Sequence, residues 1–182
     1  MSLKEATWEH HKNAERQEFV KVLMSGNISD ELYATFLYNQ HIQYNILEAV
    51  AMTHGLLPHP ALRRAPSILQ DFSELWKKQE VPPTLESTTE YLEHIRKIMG
   101  DPEKVMAHIY VRHMGDLSGG QMIAKRVPGS GKYYQFGDEP DKIKEAIRTK
   151  LDDSMADEAK ICFEFATKFF EQMMDVVNDY AE

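Results

Sequence analysis

Two stretches of the sequence combine residue types at spacings that could do chemistry. The first is HMGDLSGGQMIAKR, residues 113–126, where Gly115, Gly119 and Gly120 surround an acid, Asp116. Its flanks read as one amphipathic helix, and each glycine costs such a helix about 1 kcal/mol relative to alanine. Either the glycines kink the helix for packing, or a ligand needs close access to the backbone. A loosened helix that also presents an acid suits a pocket for a large flat molecule. The second stretch is LKEATWEHHKNAE, residues 3–15. Helical spacing puts Lys4, Thr7, Trp8, His11, Ala14 and Glu15 on one face. A histidine between small neighbours, Thr7 and Ala14, can approach a flat macrocycle and bind its iron through one ring nitrogen. Glu15, one turn on, can take a hydrogen bond from the other nitrogen and fix the tautomer. Lys4, two turns back, can meet a carboxylate at the ligand's edge. The plainer alternative is a surface histidine beside His10.

Other chemistries fail on spacing. LSGGQ is also the signature loop of ABC-type ATPases, which requires a phosphate-cradling G-x4-G-K-[ST] loop. The nearest candidate, RVPGSGKYY, has Arg126 at the first glycine and Tyr133 at the magnesium-binding hydroxyl, and it follows the signature instead of preceding it. A di-iron carboxylate bundle uses Glu-x-x-His pairs. None of the eight histidines has Glu three places before it.

The elements that must position these residues read as helix after helix. Residues 3–24 lack Gly and Pro, and SGN at 25–27 breaks them. A long helix follows from Ser29 or Asp30 to a stop at Gly55. LPHPALRRAP is a connector, 67–78 a short helix, and the next helix is capped by Thr84 or Ser87 and ended by Gly100. Pro102 starts another at its first turn. No proline then intervenes before Pro128, which predicts helix straight through the glycines. PGSGKYYQFGDEP is a loop, and two helices close the chain. No stretch alternates long enough for a sheet. The fold class is all-α, with residues 1–182 as a single domain.

The chain has 182 residues, 42% hydrophobic, with 29 acidic against 21 basic side chains and a net charge of −8. That allows a real core and disfavours nucleic-acid binding, which shows a basic excess. A lone cysteine, Cys162, excludes an internal disulfide and zinc–cysteine clusters, and its apolar helix makes it a core thiol. The charged N-terminus is no signal peptide. No apolar run reaches the ~18 residues of a membrane span. The expectation is a soluble, cytoplasmic protein without a membrane anchor.

Taken together, LKEATWEHHKNAE and AHIYVRHMGDLSGGQ resemble the haem oxygenase family, of the soluble bacterial and algal type, and the likeness runs over roughly residues 3–177. The resemblance implies an all-α fold with haem between a proximal and a distal helix. It implies His11, not His10, as the iron ligand and Glu15 as the acid that orients it. Gly115 and Gly119 match glycines whose backbones lie against the haem face, with Gly120 completing the flexible stretch. Such glycines clear space for the macrocycle and let the distal helix close over it. Asp116 matches a distal acid whose water network activates a hydroperoxide, and Tyr110, Arg112 and Tyr44 match polar members of that network. Lys144 and Arg148 match a basic pair gripping the haem propionates, with Lys4 near the same edge and Thr7 beside the ligand. Arginine suits bidentate recognition of such carboxylates.

The implied activity opens haem, both substrate and cofactor, at the α-meso carbon to biliverdin IXα, carbon monoxide and ferrous iron. It uses molecular oxygen and external electrons. The chain has no dinucleotide fingerprint and no iron–sulfur cysteine set, so the implied donor is a partner such as ferredoxin. Lys4, Lys125, Arg126, Lys144 and Arg148 are candidates for a basic docking patch, and a bilin reductase is a candidate downstream partner. Two departures stand out. Trp8 replaces a basic residue common in the family, and His113-Met114 replaces Tyr-Leu before Gly-Asp. His113 is assigned an exposed or network role, since a protein ligand there would block oxygen. His41, His54, His59, His94 and His108 read as structural or solvent-facing. A haem carrier without turnover and a helical interaction protein without haem are the rival readings.

Overall fold

The computed structural model describes residues 1–181. Ten α-helices run in chain order as α1 (Leu3–Ala6), α2 (Trp8–Glu15), α3 (Glu18–Met24), α4 (Asp30–Thr53), α5 (Ala65–Leu75), α6 (Glu86–Ile98), α7 (Pro102–Leu117), α8 (Gly120–Ala124), α9 (Pro140–Arg148) and α10 (Ala156–Ala181). There is no strand among the described residues, and none of their helices is long and apolar enough to cross a membrane. Helix α4 lies at the centre, against α5, α6, α7 and α10. On one side of the bundle Leu47, Tyr91, Ile95, Met106, Ile109, Ile143 and Ile147 are buried together. On the other, Phe19, Leu23, Tyr33, Phe36, Ile68, Phe169 and Met173 fill a second cluster. Removing this apolar surface from water, at roughly 25 cal/mol per Å², is what holds the helices together.

Several expected boundaries hold for the expected reasons. The Ser29 side chain caps α4 by accepting from Leu32 N at 3.2 Å, and Pro102 occupies the first turn of α7 behind its cap, Asp101. Others are corrected. The predicted helix over 3–24 is three pieces, interrupted at Thr7, whose hydroxyl donates back to the Leu3 carbonyl, and at Gln17, whose ψ of 142° is extended. The second break lets Phe19 and Leu23 turn into the second cluster. Helix α6 starts behind Leu85, not Thr84 or Ser87, and the Ser87 N–H is taken by the Gln172 side chain at 2.8 Å. Helix α5 covers 65–75 instead of 67–78, because Trp76 turns extended.

The most consequential correction concerns the glycine stretch. The backbone leaves the helix at Ser118 (φ −102°, ψ −90°) and restarts as the short α8. The three glycines have different reasons to be small. A Cβ on Gly115 would meet nothing within 4 Å, and one on Gly119 only the Gly115 carbonyl at 3.9 Å. A Cβ on Gly120 would lie 2.8 Å from the buried ring of Tyr134. That ring is stacked on Tyr133 at 4.1 Å between centroids, so it cannot easily retreat. Gly120→Ala is therefore expected to cost about 1–3 kcal/mol, whereas Gly115→Ala in the haem-free protein is expected to be neutral or stabilising by up to about 1 kcal/mol. Urea denaturation of the two variants checks the contrast.

Candidate functional site

Helix α7 is two-faced at its C-terminal end. Ile109, Arg112, His113, Asp116 and Leu117 are buried, while Gly115, Ser118, Gly119 and Met122 form an exposed stripe at steps of three and four, flanked by the half-buried Val111 and Met114. The stripe presents bare backbone because two of its positions have no side chain.

Asp116 points the other way, into the bundle. Its carboxylate accepts the Tyr44 hydroxyl at 2.6 Å and the Tyr133 hydroxyl at 3.0 Å. Burial raises its pKa to about 6, against the lowering effect of His113, the two tyrosine hydroxyls and Arg112. Tyr44 comes from the middle of α4. Tyr133 comes from the turn after α8, and charged side chains fix that turn. Asp71 of α5 accepts the N–H groups of Lys132 and Tyr133 at 3.0 and 2.8 Å. Arg64 donates to the carbonyls of Lys132, Tyr133 and Gln135 at 3.3, 2.9 and 3.0 Å.

Arg112 does not touch Asp116 but reaches it through intermediaries. Its Nη1 donates to Gln40 Oε1 at 3.4 Å, and Gln40 Nε2 donates to the Tyr133 hydroxyl at 3.0 Å. Its Nη2 and Nε donate to Gln43 Oε1 at 2.5 Å and to the Tyr91 hydroxyl at 3.1 Å. His113 is fully buried, which rules out the exposed role. Its Nε2 is 2.9 Å from Glu48, whose carboxylate also accepts the N–H groups of Arg64 and Ala65 at the start of α5, at 2.7 and 2.9 Å. It faces away from the glycine stripe, so it belongs to the scaffold.

The first helices bring the histidine. His11 is 39% exposed, with its ring stacked on Phe163 of α10 (5.3 Å, 13°) and the Trp8 ring edge-on at 5.7 Å. His11 Nε2 is 2.8 Å from Glu15 Oε1. The acid thus engages one nitrogen and leaves Nδ1 without a hydrogen bond, and a ring flip would exchange the two. His10 turns instead to Glu164, at 3.3 Å. Thr7 and Ala14 are buried beside His11. Tyr110 is half-buried and lies outside the Asp116 network. Both α2 and α7 lean on α10. The histidine and the bare glycine face are thus carried by helices that share one support.

The basic residues lie on helices next to these two, Lys4 on α1 beside α2 and Lys144 and Arg148 on α9 beside α7. Lys4 is exposed, and the adjacent Leu3 N–H is held by Asp153 at 3.1 Å, in the segment after α9. Helix α9 docks on α7 through Ile143 and Ile147 and carries Lys144, half-buried, and Arg148, exposed and 3.3 Å from Glu145. Gly120 is walled off by Tyr134, so its smallness serves packing within the protein. Sequence reasoning missed Gln40, Gln43, Glu48, Tyr91 and Tyr133. Four of these had a signal, since polar side chains at helical spacing on the apolar helix α4 (Gln40, Gln43, Glu48) and Tyr91 on the core face of α6 must find partners when buried. Tyr133 sat in an apparent loop and gave none.

Because the folded protein holds the Asp116 proton more tightly than the unfolded chain, this group favours the folded state below pH 4. That contribution is lost as pH rises towards 6, a change of about 3 kcal/mol between the two limits. Asp116→Asn removes the titration. Urea denaturation from pH 4.5 to 7.5 should therefore show the stability difference moving steadily in favour of Asp116→Asn, whereas a constant difference would contradict the buried-carboxylate assignment.

Known proteins resemble this chain over nearly its whole length. The sequence profile described as Heme oxygenase matches residues 1–179. Heme oxygenase 2 of Macaca fascicularis is 32% identical over 205 residues, covering 97% of this chain and 63% of the relative, so the chain spans a little under two thirds of that protein's length. Heme oxygenase 1 of Synechocystis sp. is 29% identical over 197 residues, covering 97% of this chain and 78% of the relative. Among solved structures, heme oxygenase-1 from the cyanobacterium Synechocystis sp. PCC6803 in complex with heme superposes with a TM-score of 0.83 at 25% identity, covering 98% of this chain and 95% of that one. The heme oxygenase of Leptospira interrogans gives 0.78 at 30% identity, covering 94% and 100%. With a family profile matching from end to end and relatives of the same fold, this chain belongs to the haem oxygenase family.

Proposed function

We propose that this chain is a cytoplasmic haem oxygenase that opens haem to biliverdin IXα, carbon monoxide and ferrous iron, using molecular oxygen and electrons from a ferredoxin-like donor. The observation that carries the reading is the pairing of two side-chain-free positions, Gly115 and Gly119, with a buried acid, Asp116, on the opposite face of the same helical turn. A flat macrocycle can lie directly on the bare backbone, while the acid stays out of its way and within a hydrogen-bonded network.

Bound haem supplies the iron at which oxygen is reduced and is itself the molecule opened. The protein's part is to bind, orient and manage protons. His11 would hold the haem iron through the ring nitrogen that Glu15 does not engage. Lys4, Lys144 and Arg148 hold the propionates, and that grip selects which meso carbon meets the oxygen. Thr7 and Tyr110 close the edge between the first helix and α7. Asp116, with a pKa near 6, can exchange a proton near neutrality, and the Tyr44 and Tyr133 hydroxyls hold its carboxylate in one orientation. Arg112 steadies the Tyr133 hydroxyl through Gln40 and adds a fixed positive charge beside the pair. Lys125 and Arg126, exposed just after α8, extend the rim into a basic docking surface for an acidic electron donor, despite the net charge of −8. Product bilin leaves from the same rim, where a bilin reductase would collect it.

The test is a spectral time course. One equivalent of haem is added, then a ferredoxin reducing system in air with catalase present. A Soret band should form and then decay as biliverdin absorbance rises, with the α isomer as product. A Soret band that persists with this donor and with ascorbate would make the protein a haem carrier. Asp116→Asn is expected to slow biliverdin formation about 100-fold or more while haem affinity changes little, in line with the loss of a positioned proton-transfer group. Lys125→Glu with Arg126→Glu should slow ferredoxin-supported turnover and leave ascorbate-supported turnover unchanged. Equal slowing with both reductants would remove these residues from the docking surface.

A further inference from the structure

Three side chains outside the haem region converge from three helices: His94 of α6, His108 of α7 and Glu158 of α10. The Nε2 atoms of both histidines lie against the same carboxylate oxygen, Glu158 Oε2, at 2.8 Å from His94 and 3.0 Å from His108. One ligand atom from each residue falls within 4.8 Å of the others. His108 is fully buried and Glu158 nearly so, while His94 is partly exposed. From these contacts we infer that His94, His108 and Glu158 form a binding site for a divalent transition-metal ion of the zinc class, separate from the haem site.

The chemistry of the donor set fits. Two imidazoles and one carboxylate, with a position left for water, is a familiar zinc set. Metal–ligand bonds of about 2.0–2.1 Å place tetrahedral donor atoms about 3.3 Å apart. The observed 2.8 and 3.0 Å need only spread by a few tenths of an ångström. The second oxygen of Glu158 takes no hydrogen bond from the described residues, and Glu158 lines a surface recess of about 330 Å³ with Asp101, Glu103, Asp157 and one cation, Lys104. Three further carboxylates around the entrance attract cations, and the recess admits the water that completes coordination.

The outer contacts fit as well. A metal-bound histidine needs an acceptor for its other ring N–H. His108 Nδ1 is 2.7 Å from the Tyr91 hydroxyl. Without metal, the His108 Nε2–H donates to Glu158 and Nδ1 accepts from Tyr91. With metal on Nε2, the proton sits on Nδ1 and is donated to the Tyr91 oxygen, whose own hydroxyl proton rotates away from the ring. Tyr91 also receives Arg112 Nε, so the site joins the hydrogen-bond chain through Gln40 and Tyr133 to Asp116.

The test is calorimetric titration of untagged, haem-free full-length chain with Zn²⁺, repeated with Co²⁺ to read visible d–d absorption. Wild type and His11→Ala should each bind one ion per chain at this site, since His11 takes no part. His94→Ala and Glu158→Gln should weaken that binding by about tenfold or more and lose the Co²⁺ bands. His94 lies at the surface, so its variant should keep the wild-type far-ultraviolet circular dichroism. Wild-type protein that binds neither ion, or a folded His94→Ala that binds as wild type does, would overturn the assignment. A loss of binding in His11→Ala alone would instead move the ion to the haem face, and equally overturn it.

Discussion

The structure turns on one buried carboxylate. Asp116 sits where α7 is about to break, inside a bundle that disfavours its charge, and two tyrosine hydroxyls hold it there. Much else follows from keeping those hydroxyls in place. Tyr44 needs α4 to run straight through the centre. Tyr133 needs a turn after α8, which Asp71 and Arg64 clamp from below. Tyr134 stacks on Tyr133 and presses on Gly120, so the glycine lets the turn approach the helix it follows. This buried acid is thus the point on which α4, α5, α7 and the turn after α8 converge.

Other buried charges are handled in the same manner, each by more than one partner, as burial demands. Glu48 takes two backbone N–H groups and His113. Glu158 takes two histidines, which together outweigh the upward push of burial and hold its pKa below the ordinary value. Arg112 spreads its donors over Tyr91, Gln40 and Gln43. These residues lie on the concealed face of α7 and its neighbours, while the opposite face stays bare at Gly115 and Gly119. One helix therefore carries a polar network on one side and an exposed, side-chain-free backbone on the other.

The helical nature of the chain, the long α4 with its serine cap and the pairing of His11 with Glu15 were legible in the sequence, because caps, periodicity and helical spacing are local signals. The break at Ser118 was not. It depends on Tyr133 and Tyr134 folding back over the stretch from a segment that reads only as a loop. Nor was the difference among the three glycines legible, since what a Cβ would meet is a tertiary question. His113 illustrates the same limit. Its type admitted an exposed or a network role, and only the arrival of Glu48 from α4, bringing the start of α5 with it, decides between them. His94 and His108 looked like scattered structural histidines because their shared partner, Glu158, lies 50 residues or more along the chain.

The central claim is that haem lies on the bare backbone of Gly115 and Gly119 with His11 on its iron. A crystal structure of the haem-loaded chain tests it most directly. The account predicts the macrocycle against those two glycines, a His11 nitrogen on the iron with Glu15 on the other, and Asp116 still bonded to Tyr44 and Tyr133. Iron held by another histidine, or haem seated away from the glycine face, would contradict it.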